Sequence, residues 1–255
     1  LIRLYDYAHD RIQDSIHGSL STTDRPTAEI WAWPDADLAG DKLFSSKSIS
    51  GRFVETVGAN GRGLPLHWSS NKQTGTALST SDAETVSLRD CIKIEALAIQ
   101  SFFSLVLGRP IVLRALEDNT TCITAVDKGY SPAMRYLPRT QRTSLGFLHE
   151  VFHELDGADL GPAILQHAST KKHKGDFFTK DSLTAEEFQK ALTSLRIHRS
   201  FEDFLRGERN LQGIKPPKAP ETLAMELSDA VPSQPEGGVA TVSYTHLRAH
   251  ETLSY

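Results

Sequence analysis

Apolar and polar positions along this chain fall into several short runs and one long periodic stretch, separated by turn residues. Residues 1–19 carry Leu1, Leu4, Tyr5, Ala8, Ile12 and Ile16 at helical spacing. After a polar break over 21–26, Ile30, Trp31, Ala32 and Trp33 predict a strand that ends at Asp35. Two more strands are predicted over 51–57 and 64–68, joined by a loop containing Gly58, Gly61 and Gly63. Leu88, Ile92, Ala96, Ile99, Phe103 and Val106 recur at steps of three or four. They predict the longest helix, starting after Ser81 and stopped by Gly108 and Pro110. A strand over 111–116 follows, and Asp118-Asn119 opens a short helix carrying Cys122, Ile123 and Val126. Residues 145–155 read as helix and 162–168 as strand. Thr184-Ala185-Glu186-Glu187 reads as a capping box for a final helix with Phe188, Leu192 and Leu195.

Length and composition narrow the class. The 255 residues suffice for one domain of moderate size with appendages, or two small ones. Hydrophobic content of 39% and charged content of 24% are ordinary for a globular chain, and a net charge of −4 requires any nucleic-acid footprint to be local. Cys91 and Cys122 lie in apolar periodic stretches, which fits reduced, buried thiols and an intracellular protein rather than a disulfide framework. The most apolar stretch, 96–107, is interrupted by Gln100, Ser101 and Ser104 and is too short to span a bilayer, so no membrane partner is expected. No signal peptide is visible, and a start at Leu1 suggests a fragment of something longer. From about Gly207, Pro216, Pro217, Pro220, Pro232, Pro235 and Gly237-Gly238 predict a linker or disordered tail over 207–241. Residues 242–255 resemble the translation of a sequencing-library adapter rather than native protein. Their His246/His250 pair lacks the adjacent Glu of a zinc-protease helix and is set aside.

Four acids remain. Asp35 and Asp118 follow strand runs, whereas Glu84 and Asp176 sit where helical turns begin. Each has a structural alternative: a turn residue for Asp35, a Ser81-x-x-Glu84 capping box, an N-cap role for Asp118 or Asn119, and a turn cap for Asp176. Glu84, however, lies four residues before Leu88 on the stripe facing the core. A carboxylate there needs a partner or must take a proton. Two strand-end and two helix-start carboxylates can converge into a cage for two divalent cations of the kind that hydrolyses phosphodiesters.

In this order the motifs resemble the ribonuclease H domain at the C-terminal end of copia-type retrotransposon polyproteins. Asp35-Ala36-Asp37-Leu38-Ala39-Gly40 resembles that family's Asp-Ala-Asp-Trp-Ala-Gly, and residues 46–51 its Ser-Thr-Ser-Gly element. Trp68-Ser69-Ser70-Asn71-Lys72-Gln73 resembles Trp-x-Ser-Lys-Lys-Gln. Ala77-Leu78-Ser79-Thr80-Ser81-Asp82-Ala83-Glu84 places Glu84 on the second, metal-binding Glu of Ala-Leu-Ser-Ser-Ala-Glu-Ala-Glu. Glu117-Asp118-Asn119 and Asp176-Phe177-Phe178-Thr179-Lys180 resemble the last two motifs. The resemblance covers about 27–195. Residues 1–20 resemble the terminal helix of the preceding reverse-transcriptase region. Three departures stand out: Leu38 for Trp, Pro34 inside the first strand, and Arg142 for His after Arg139-Thr140-Gln141. No Tyr-x-Asp-Asp polymerase motif is present.

The resemblance implies an α/β, ribonuclease H-like five-stranded mixed sheet flanked by helices, with three antiparallel strands and two parallel ones. It implies hydrolysis of the RNA strand of an RNA/DNA hybrid with two Mg²⁺ or Mn²⁺ ions about 4 Å apart, held by Asp35, Glu84, Asp118 and Asp176. Asp35 would serve both ions. Oxygen ligands favour these metals over zinc. Ser70, Gln73, Asn119, Arg135, Arg139, Arg142, Lys172 and Lys174 are candidate nucleic-acid contacts, and hybrid readers grip shape and phosphates more than base edges. His173 is a candidate for assisting product release. The upstream reverse-transcriptase domain of the same polyprotein is an expected partner, in cytoplasmic particles or the nucleus. Two other readings are a decayed module that tethers nucleic acid without catalysis and an integrase-type transferase on the same fold.

Overall fold

The computed structural model describes residues 9–40, 45–58, 61–154, 161–180, 182–200 and 202–204, together with the backbone of 241–243. In chain order the strands and helices are β1 (Ser15–Ser19), β2 (Glu29–Asp37), β3 (Ile49–Val57), β4 (Gly63–Lys72), α1 (Thr80–Asp90), α2 (Leu97–Leu107), β5 (Leu113–Glu117), α3 (Thr120–Asp127), α4 (Leu137–Thr140), α5 (Leu145–His149), β6 (Ala163–His167), α6 (Ala185–Ser194), β7 (Ile197–His198) and β8 (Thr241–Ser243). Strands β4-β3-β2-β5-β6 form one sheet, in that order. β2 runs antiparallel to β3, and β3 to β4; β5 is parallel to β2 and β6 to β5. The expected mixed sheet is therefore present, with β2 at its centre.

Strand parity sorts β2 into two faces. Ile30 and Ala32 point into the main core with Val54, Leu113, Ala115, Leu88, Ile92 and Ala96. Each fully buried Leu or Ile there contributes roughly 1.5–3 kcal/mol of burial free energy. Trp33 faces the other way, with Phe53, Leu116 and Leu195, and Asp35 shares its parity at the end of the strand. Gly108 ends α2 in the left-handed conformation at φ 66°, where a residue without Cβ is unstrained.

Four expectations change. The helix anticipated over 1–19 gives way to β1 at its C-terminal end, pairing antiparallel with β7 and β8. Gly18 explains the preference, because a Cβ there would lie 2.4 Å from Leu64 Cδ1, so the chain can cross β4 closely as a strand. Residues 1–8, and with them much of that anticipated helix, lie outside the described residues, as do the expected tail over 207–241 apart from Thr241 and the adapter-like segment over 242–255 apart from Val242 and Ser243. The long helix does run from Thr80 to Leu107, but Cys91–Ala96 forms a π-helical turn between α1 and α2. The same occurs over Glu150–Glu154 after α5. Finally, α1 is capped by Ser79, whose side chain accepts from Asp82 N at 3.2 Å. The Ser81/Glu84 capping box does not form, and Glu84 is left for other work.

Candidate metal-binding active site

Asp35 is carried by β2 just past the point where β5 stops pairing with it, at Ala32↔Ala115. Glu84 projects from the first turns of α1, and Asp118 follows the last residue of β5. Oxygen atoms of Asp35, Glu84 and Asp118 lie within 4.8 Å of one another. Asp35, Asp176 and a ring nitrogen of His173 form a second set of the same tightness. The two sets share Asp35, so all four expected acids converge.

Close backbone approach makes the second set possible. Asp176 lies in a 3-10 turn, Gly175–Phe178, laid against β2 and β3. A Cβ on Gly175 would fall 2.7 Å from Trp33 O, and one on Gly51 2.7 Å from Gly175 O. Only glycine lets the turn sit this close. The Thr179 hydroxyl donates to Asp35 Oδ2, and Lys180 Nζ donates to Asp176 Oδ2 at 2.5 Å. Asn119 takes the N-cap of α3 by accepting from Thr121 N and Cys122 N, which frees Asp118. Asp118 Oδ2 instead accepts from the Thr170 hydroxyl at 2.8 Å.

Burial perturbs two of these acids, Asp35 and Glu84. Asp35 is pushed up to about 7 from 3.8, first by desolvation; the Thr179 bond pulls it down and the Asp176 charge pushes it up. Glu84 is pushed up to about 11, by desolvation and then by Glu117 and Asp35, while a hydrogen bond from the Ala36 amide works in the opposite direction. Glu117 is a fifth acid that the motif comparison passed over. It is fully buried and its carboxyl is driven far up by desolvation. Its parity with Leu113 and Ala115, which face the helices, was the available signal. Glu117 Oε1 accepts from Asn119 N at 3.1 Å. Glu84 Oε2 and Glu117 Oε2 have no hydrogen-bond partner among the described residues. Hard oxygen donors, converging like charges and an orphaned buried carboxylate oxygen together fit a divalent cation.

Pro34, a residue that removes a ladder donor from the central strand, is accommodated by His173. Ile30 N donates to Val112 O just before β5, and alternation along the strand would put a residue-34 N–H opposite Leu116 O. Proline has none. His173 Nε2 donates to Leu116 O at 2.7 Å instead, and its ring meets Trp33 edge-on. His173 is buried, and desolvation lowers its pKa, favouring the neutral ring. The histidine marked for product release thus has a structural bond to make.

The remaining candidates scatter. Gln73 is buried, donating to Ser50 Oγ and Ala83 O. Ser70 is exposed and donates to Phe178 O at 2.6 Å. Arg135, Arg139 and Arg142 are exposed around α4. Their segment is tied to α1 by the Tyr136 hydroxyl, which donates to Asp82 Oδ2. Lys172 is exposed, whereas Lys174 turns inward to Glu55 at 2.5 Å and does not offer its ammonium to a surface phosphate. Sequence reasoning also missed the ion-paired Arg52, Glu95 and His67 behind the sheet, where both contacts are 3.1 Å.

No protein-family model matches the chain, and comparison with curated proteins gave no match. Among solved structures it is similar to ribonuclease H1 of the halophilic archaeon Halobacterium salinarum NRC-1, with 13% identity and a TM-score of 0.37 over 64% of this chain and 99% of that one. LC11 ribonuclease H1, isolated from compost by a metagenomic approach, gives 15% identity and 0.38 over 64% and 98%. The prototype foamy virus protease-reverse transcriptase gives 11% identity and 0.33 over 71% of this chain and 22% of that one. The fold itself rests on the sheet order β4-β3-β2-β5-β6 and its strand directions, which are those of the mixed five-stranded sheet expected from the sequence.

Proposed function

We propose that this domain is a metal-dependent endonuclease that hydrolyses the RNA strand of an RNA/DNA hybrid. The observation that carries the reading is the pair of ligand sets sharing Asp35 at the end of the central strand. Asp35, Glu84, Asp118 and Asp176 would hold Mg²⁺ or Mn²⁺, which supplies a polarised water and neutralises charge on the phosphate. Thr179 fixes the Asp35 carboxylate and Lys180 balances Asp176. Arg135, Arg139 and Arg142 are exposed on the segment that Tyr136 and Gln141 tie to the helix carrying Glu84, through Asp82 and Arg89, and would meet a duplex backbone there.

The motif series at 35–40, 68–73, 77–84, 117–119 and 176–180 supports an origin in a copia-type retrotransposon polyprotein. A reverse-transcriptase partner and action in cytoplasmic particles or the nucleus follow from that origin. The test offers the full chain a hybrid labelled on its RNA strand, beside RNA/RNA and DNA/DNA duplexes, with Mg²⁺ or Mn²⁺. Cleavage confined to the hybrid RNA supports the reading, and equal cleavage of all three overturns the substrate assignment. The non-catalytic tether is the outcome in which the hybrid binds but is not cut.

A further inference from the structure

A cavity lies on the Trp33 face of the sheet, beneath α6, and has no part in the chemistry proposed above. It measures about 270 Å³ and is lined by Trp31, Trp33, Phe177, Lys171, Lys172 and Arg196, among others. Its aromatic walls are fixed in place. Trp31 Nε1 donates to Glu29 Oε2 at 2.7 Å, and Trp33 Nε1 to Glu55 Oε1 at 3.1 Å. Trp31 and Phe177 are each only half-buried and so present ring surface to the cavity.

The lining of this cavity is mostly cationic. Glu55 is its single carboxylate among the described residues; it is buried and already held by Lys174 and Arg196. Lys171 and Lys172 stand exposed at the mouth with no ion pair among the described residues. Lys190, also in the lining, pairs with Glu186 only at the exposed surface, where water screens the contact.

Aromatic walls with lysines at the entrance suit a planar ring linked to a phosphate. Stacking of a base on such rings contributes about 1–3 kcal/mol, whatever the base. The volume falls below the roughly 300–1,000 Å³ of pockets for drug-sized ligands, so it takes one base with its phosphate left at the mouth, and not a duplex. We propose that this pocket binds one unpaired nucleotide of a single strand, its base against Trp31 and Phe177 and its phosphate on Lys171 and Lys172. Trp33 is two strand residues from Asp35, about 7 Å along β2, and Phe177 follows Asp176. The pocket therefore adjoins the carboxylates without using them, and its occupancy does not depend on hydrolysis.

The chain has three tryptophans, so Trp68→Phe leaves only the two in the pocket when tryptophan is excited selectively. This variant of the full chain, in EDTA, is titrated with 5′-phosphorylated tetrathymidylate, thymidine monophosphate and thymidine. The expected result is saturable quenching by the tetranucleotide, weakened about tenfold by Lys171→Gln/Lys172→Gln, with a log-log salt slope shallower by about 0.7 for each phosphate that no longer meets a lysine. Both lysines are exposed, so a folded double variant is expected, and its circular dichroism checks this. Absence of saturable quenching, or quenching indifferent to the lysine substitutions, overturns the proposal. Thymidine monophosphate binding as tightly as the tetranucleotide overturns the assignment to a strand in favour of a free nucleotide.

Discussion

Asp35→Asn exposes the cost of the carboxylate cage most cleanly. The side chain is buried, and its carboxyl is raised from 3.8 to about 7, chiefly by desolvation. A raised acid favours the folded state while it keeps its proton. Its contribution is therefore fully present below the unfolded value near 4 and is lost as pH rises through about 7. Roughly three pH units at 1.36 kcal/mol each amount to something on the order of 4 kcal/mol lost by about pH 8. Asparagine keeps the shape, stays neutral, and its Oδ1 can still accept from Thr179. In EDTA at about pH 8, Asp35→Asn should therefore be more stable than wild type by on the order of 2–4 kcal/mol, shrinking towards zero by about pH 4. Urea denaturation followed by tryptophan fluorescence at both pH values measures this. A variant less stable than wild type at the higher pH, or a difference that ignores pH, would refute the reasoning.

Cations should relieve the same repulsion: at about a hundredfold excess over its dissociation constant, Mg²⁺ should add about 2.7 kcal/mol to wild type. Thermal shifts should show that gain diminished in Asp118→Asn and growing with pH, because protons compete for the ligands. His173→Ala leaves Leu116 O without a donor and should cost about 1–3 kcal/mol. Adding Pro34→Ala restores a strand N–H and should recover part of that loss in a double-mutant cycle; simple additivity would contradict the pairing. Lys174→Met leaves buried Glu55 with only the Trp33 indole N–H and the Arg196 guanidinium at 3.5 Å, and should cost about 1–3 kcal/mol in denaturation, more than Lys172→Gln at the surface.

The strand and helix order was legible because hydrophobic periodicity survives in a domain whose elements each bury one face. Asp35, Glu84, Asp118 and Asp176 could be found because each sits at an element end with recognisable neighbours. What the pattern hid was set by contacts distant in sequence. A helical spacing over 1–19 could not reveal that Gly18 lets β1 cross β4 closely. Ser81 and Glu84 had the spacing of a capping box, but Ser79 starts the helix two residues earlier. Pro34 looked like damage until His173, far along the chain, supplied the donor it lacks. Lys174 was a candidate nucleic-acid contact, yet it points to a buried carboxylate that no local pattern announces.

The most direct test of the central claim is cleavage of an RNA/DNA hybrid labelled on its RNA strand by the full chain, with Mg²⁺ or Mn²⁺ and an Asp118→Asn control. Loss of the RNA that requires the metal and is abolished in the control is the predicted result. Binding without cleavage in either metal, or cleavage that persists in Asp118→Asn, would contradict it.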